Sequence, residues 1–213
     1  MPSDDFKDRA DAEREMTEIA DHIDDFDDDS TLDDDRVDEH TDEEDKNTVT
    51  FASLGLPEEI LEAVTDMGFR VPTPIQAAAI PPLLELRDVV GIAQTGTGKT
   101  AAFGLPLLAI VDADERDVQA LVLAPTRELA MQSAQAIEDF AARTARLDVV
   151  PVYGGSPYGP QIGALKRGAQ VVVGTPGRVI DLIEKGALDL SHVRMLVLDE
   201  ADEMLRMGFA EDV

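Results

Sequence analysis

The 213 residues predict an α/β domain with a mostly parallel sheet and helices on both faces, and three observations predict it. From residue 57 onward, short apolar runs rich in Val, Ile and Leu alternate with helical stretches, as strands joined by crossover helices do. A glycine-bearing turn, AQTGTGKT at 93–100, follows the apolar run 88–93 and leads into a helix. A second apolar run, MLVL at 195–198, ends in the adjacent acids Asp199 and Glu200, at the strand end where parallel sheets present ligands.

Residues 57–67 read as a helix closed by Gly68. Thr73 is a good helix N-cap and Pro74 suits the first helical position, so Gln76 falls in the first turn. The run 88–93 (DVVGIA) reads as the first strand, and further helices are expected at 99–111, 127–142, 158–167 and 176–185. Strands are expected between them, starting at Gln119, Leu147, Gln170 and Val193.

The two marked stretches together describe a nucleotide site. Gly96 and Gly98 let the backbone curl its amides around phosphate oxygens, in a loop completed by Thr95, Thr97, Lys99 and Thr100. Lys99 can reach the outer phosphates, the Thr100 hydroxyl can ligate Mg2+, and the helix N-terminus adds its positive dipole end. Ala93 stands where the generic loop has glycine. Asp199 can hold Mg2+ through water, and Glu200 can orient or deprotonate an attacking water. A solvated acidic cluster is the competing reading, since the chain carries 45 Asp and Glu; the apolar strand in front of these two weighs against it.

Charge divides the chain. Residues 1–46 carry 22 acidic and 5 basic residues, a balance of −17, against −10 for 47–213. The first segment is too charged and too poor in apolar residues to form a core, and reads as a disordered tail before a folded domain spanning 47–213. Met16, Ile19, Ala20, Ile23 and Phe26 share helical spacing, which fits a small helix core, a partner-binding helix or chance. The absence of cysteine excludes a disulfide framework and a thiolate zinc site and suits a reducing cytoplasm. No stretch is apolar and long enough to span a bilayer, and the three histidines lack metal-ligand spacing.

From Phe51 onward the chain resembles the first RecA-like domain of the DEAD-box RNA helicases, whose name Asp199, Glu200, Ala201 and Asp202 spell. FRVPTPIQ at 69–76 is similar to the family's adenine-reading segment. The resemblance implies that Gln76 bonds the adenine edge, that Phe69 lies against the base, and that Phe51 is the family's isolated upstream aromatic. APTRELA at 124–130, the pair Gly154–Gly155 and TPGR at 175–178 look like the family's RNA motifs. Thr126, Arg127, Gly155, Thr175, Gly177 and Arg178 are then expected to grip RNA phosphate and sugar with little sequence preference. Taken singly, each also reads as a turn glycine, a helix cap or a surface arginine. One departure is Leu86, where the family commonly has a glycine ahead of the Arg-Asp pair.

The resemblance implies an ATP-dependent RNA helicase using ATP and Mg2+, with RNA as partner; protein partners through the acidic tail stay open. The tail could compete for the RNA groove or act only as a solvating extension. The alternative class is a non-catalytic nucleotide- or RNA-binding module. Family members continue into a Ser-Ala-Thr motif and a second RecA-like domain, whereas this sequence stops at Val213 and reads as truncated. The implied next strand would insert between the DEAD strand and the phosphate-loop strand. The 213 residues alone are therefore expected to be poorly folded or aggregation-prone and to lack RNA-stimulated hydrolysis.

Overall fold

The computed structural model describes residues 49–94, 96–143 and 147–213; the expectations for 1–46 and for Thr95 lie outside them. A 3-10 turn at Phe51–Leu54 precedes α1 (Glu58–Asp66), α2 (Pro74–Leu84) and α3 (Lys99–Ile110). Strand and helix then alternate: β1 (Ala120–Leu123), α4 (Arg127–Phe140), β2 (Val149–Val152), α5 (Tyr158–Lys166), β3 (Val171–Gly174), α6 (Pro176–Glu184), β4 (Met195–Leu198) and α7 (Ala201–Arg206). All three strand pairings are parallel, in the order β2-β3-β1-β4.

The period-two alternation of strand side chains divides the core between the two faces of the sheet. Ala120, Val122, Val149, Val171 and Val173 pack with the 3-10 turn and α1–α4. Leu121, Leu123, Val150, Val152 and Val172 pack with α5, α6 and Met204 of α7. Every residue of β1 and β3 is buried, as parallel strands covered on both sides must be. At the carboxyl end of β3 the backbone approaches its neighbours so closely that a Cβ on Gly174 would lie 2.6 Å from Val152 Cγ2 and 2.7 Å from Val179 Cγ2.

The strand expected at 88–93 is absent. These residues take no regular secondary structure and join no ladder, and Val90 and Ile92 are 93% and 96% exposed. The physical reason is the missing neighbour: a short apolar run becomes a strand only when another strand satisfies its amides and carbonyls, and no described strand lies beside this one. Correspondingly, among the described residues β4 pairs only with β1, and its Leu196 and Leu198 stay 54% and 40% exposed.

Two buried glutamines hold the amino ends of the strands. Gln119 exchanges two 2.8 Å hydrogen bonds with the backbone of Asp112. Gln170 accepts from Asp148 N at 2.9 Å and donates to Glu115 O at 2.8 Å. These bonds satisfy backbone groups just ahead of the sheet.

Candidate functional site

The carboxyl edge is built by short ties between strand ends. Ala124 N donates to Gly174 O, Thr175 N to Val152 O and Asp199 N to Leu123 O, at 2.9, 3.0 and 2.9 Å. The loops after all four strands therefore start from one rigid line, which carries Thr126, Gly155, Thr175 and Asp199.

The turn at 93–98 requires its glycines. Gly96 and Gly98 have φ of 81° and 86°, in the left-handed region that side chains disfavour. A Cβ on Gly98 would stand 2.3 Å from Gln76 Nε2, whereas one on Gly96 would meet nothing within 4 Å. Thr97 Oγ1 donates to Gln94 O at 2.7 Å across the turn. Lys99 and Thr100 open α3, so loop amides, helix N-terminus and cation converge.

Gln76 is 1% exposed and bonds at both ends of its amide. Its Oε1 accepts from Thr73 N at 2.9 Å, the closed half of a capping box on α2, and its Nε2 donates to Gly98 O at 3.1 Å. Each end keeps one unused bonding capacity. Thr73 Oγ1, beside Gly98, is buried and makes no hydrogen bond. Phe69 is half-buried and meets Phe51 and Phe140 edge-to-face, with centroids 6.2 and 6.3 Å apart.

Across the site, Lys99 Nζ bonds Glu200 Oε1 at 2.7 Å, joining residues 101 positions apart. Glu200 sits at φ 51°, ψ 47°, a left-handed conformation costing a non-glycine residue roughly 1–2 kcal/mol. Its neighbour Asp199 accepts from Ser133 Oγ at 3.1 Å. Burial pushes the Asp199 carboxyl above the ordinary carboxylate range; the Ser133 bond opposes this, the Glu200 charge adds to it, and the Lys99 charge opposes it.

The expected RNA residues divide into two kinds. Thr126 caps α4, accepting from Leu129 N at 3.3 Å, and the exposed Arg127 stacks its guanidinium 5.0 Å from the centroid of Tyr153. Gly155 (φ 75°) and Gly177 are exposed, with open space where a Cβ would stand. Thr175 is the N-cap residue of α6. Arg178 differs: it is 8% exposed, and its guanidinium donates to Ser156 O and Gln161 Oε1 at 3.0–3.1 Å under the Tyr158 ring. Expected as a surface contact, it is instead turned inward onto the neighbouring loop.

Ser133, Tyr153 and Gln161 were not anticipated as parts of this edge. Ser133 carried a readable signal, a polar residue in the buried stripe Ala130, Ala134, Ile137 of α4. Gln161, 6% exposed on α5, carried a similar one.

A family model for DEAD/DEAH box helicases matches residues 73–213. The chain belongs to the DEAD/DEAH box helicase family. Among its relatives in that family is an ATP-dependent RNA helicase DeaD of Haemophilus influenzae, 60% identical over 165 residues, covering 78% of this chain and 27% of the relative. The DeaD protein of Escherichia coli K12 is 59% identical over 164 residues, covering 77% and 26%. A crystal structure of a DEAD box protein from Methanococcus jannaschii superposes with a TM-score of 0.73 at 46% identity, over 76% of this chain and 44% of that one. A hypothetical ATP-dependent RNA helicase from Sulfolobus tokodaii gives 0.67 at 43% identity, over 74% and 45%. The chain thus spans just over a quarter of the length of these DeaD relatives. Helicase-family membership accounts for the parallel sheet, the glycine turn ahead of α3 and the acids after β4 as one construction. Among the described residues no helix is long and apolar enough to cross a membrane.

Proposed function

We propose that residues 47–213 form the nucleotide-binding domain of an ATP-dependent RNA helicase acting in the cytoplasm, with ATP and Mg2+ at the phosphate loop and RNA backbone along the carboxyl edge. The observation that carries this reading is the meeting of Lys99 and Glu200 at 2.7 Å, beside Asp199. The loop cation and the strand-end acid, 101 residues apart in sequence, meet beside Asp199, where a nucleotide with its metal would need all three.

The residues fit the nucleotide. Gly96 leaves open space at the loop, Lys99 and Thr100 stand at a helix N-terminus, and the orphaned Thr73 Oγ1 lies buried next to the loop. Bound there, ATP with Mg2+ would supply the phosphoanhydride whose hydrolysis drives RNA remodelling. Lys99 would exchange Glu200 for phosphate oxygens, Thr100 and Asp199 would hold the metal, the latter through water, and the freed Glu200 would position the attacking water. Gln76 would read the adenine edge through the donor and acceptor capacity it retains, with Phe69 beside the base. Thr126, Arg127, Gly155, Thr175 and Gly177 would grip phosphate and sugar, and Arg178 would act through the loop it holds.

Binding of a fluorescent ATP analogue, with GTP and ATP as competitors, tests the nucleotide reading. Lys99→Ala should abolish binding, and Gln76→Ala should erode the preference for ATP by about five- to hundredfold, the equivalent of 1–3 kcal/mol for an unpaired base edge. Unchanged selectivity in Gln76→Ala would remove the adenine assignment, and retained binding in Lys99→Ala would remove the phosphate assignment.

A further inference from the structure

We infer that Gln161 is a positioning residue for RNA binding, joining the Gly154–Gly155 turn to the TPGR segment so that both present one surface. The inference rests on the RNA-binding reading above. Gln161 touches neither motif's exposed glycines, yet its side chain bonds to both segments. Its Nε2 donates to Tyr153 O at 3.2 Å, immediately before the glycine pair, and its Oε1 accepts from Arg178 Nη1 at 3.0 Å. Arg178 in turn donates to Ser156 O, immediately after the pair, from Nη1 and Nη2 at 3.1 Å. The turn is therefore held by its carbonyls on both sides, and Gln161 is the group common to both holds.

Packing does not do the same work. An open cleft of about 290 Å³ along β2 and α5 is bordered by Val150, Tyr153, Ser156, Pro160 and Gln161, and neither glycine has a neighbour within 4 Å of its missing Cβ. The turn thus depends on hydrogen bonds for its placement. The linkage extends in both directions: Tyr153 carries the Arg127 guanidinium on its ring, and Arg178 lies 4.2 Å from the centroid of Tyr158, whose hydroxyl bonds Asp181 on α6. The turn at 153–156 and Arg178 of α6 thus share one buried amide, and Arg127 joins them through the Tyr153 ring.

Gln161 and Arg178 are 6% and 8% exposed, so a partner lost from either is poorly replaced by water. In Gln161→Leu, which keeps side-chain bulk but removes both bonds, the turn and Arg178 lose their common anchor. Gln161→Glu keeps the acceptor for Arg178 but sets a carboxylate oxygen against the Tyr153 carbonyl.

The test measures binding of fluorescein-labelled single-stranded poly-uridine RNA to the 213-residue chain by anisotropy, beside affinity for a fluorescent ATP analogue and thermal melting. The expected result is RNA binding weakened about tenfold in Gln161→Leu and less in Gln161→Glu, with nucleotide affinity unchanged in both. A merely structural role would lower the melting temperature and leave RNA affinity of the folded protein intact; that outcome overturns the inference. If Gln161→Leu does not melt cooperatively, Gln161→Glu decides alone, and wild-type RNA affinity in it overturns the inference. A wild-type chain that binds nucleotide but no RNA overturns the RNA-binding reading itself.

Discussion

Leu86 adopts φ 59° and leaves its side chain 71% exposed, so it carries a left-handed backbone with little packing in return. The sequence marks this position as one where the family commonly has glycine, and the conformation supplies the reason. Leu86→Gly should stabilise the domain by about 1 kcal/mol, the left-handed strain less the entropy of a freer unfolded chain, and raise its melting temperature by about 2–4 °C. Asp199 offers a pH-dependent counterpart. Its folded pKa is raised by burial, so its contribution to stability is fully present below the ordinary carboxylate range and is lost as pH rises through the raised value. Asp199→Asn should therefore melt higher than wild type above that window and equally within the acid range, as melting curves across pH would record. At this scale the sequence displayed the glycines, Lys99 and the acids, because their chemistry depends on local order along the chain. It could not display that Arg178 points inward or that Ser133 supports Asp199, since both depend on contacts across 17 to 66 residues.

Among the elements, periodicity located the helices to within a few residues. The end of α3 shows the agreement, expected at 111 and found at Ile110. Helix α7 went unanticipated because its six residues are too short to display a period. The run 88–93 failed for a different reason: apolar composition signals that a segment could be a strand, while ladder partners decide whether it is one. Strand β3 shows the opposite case, where composition and surroundings agree so fully that no space is left. Gly174→Ala should cost about 1–3 kcal/mol by overpacking against Val152 and Val179, visible as a lower denaturant midpoint with unchanged slope. The same close approach draws β3 against β2 just before the Gly154–Gly155 turn, so the variant should also disturb the position of Thr175.

For the whole molecule, the unpaired side of β4 governs behaviour in solution. Among the described residues no strand pairs with the far side of β4, and this edge, flanked by exposed Leu196 and Leu198 and accompanied by the exposed Val90 and Ile92, is a surface that other strands will join. The net charge of −27 opposes such association at long range, and salt weakens that opposition. The chain should therefore self-associate increasingly with salt, and Leu196→Lys should suppress this, as light scattering over a range of protein and salt concentrations would show. Equal scattering by both proteins would mean that another surface is responsible. The bond from Gln76 to Gly98 bears on a different matter, the portability of parts. A segment such as 93–100 invites transplantation between proteins because its marked residues are consecutive. Here the loop's last glycine is defined by a side chain from another helix, since a methyl group at 98 would strike the amide of Gln76. A loop imported without a partner for residue 76, or a new residue 76 set against the old loop, would inherit half of a fitted pair, so the unit of exchange is the loop together with the first turn of α2.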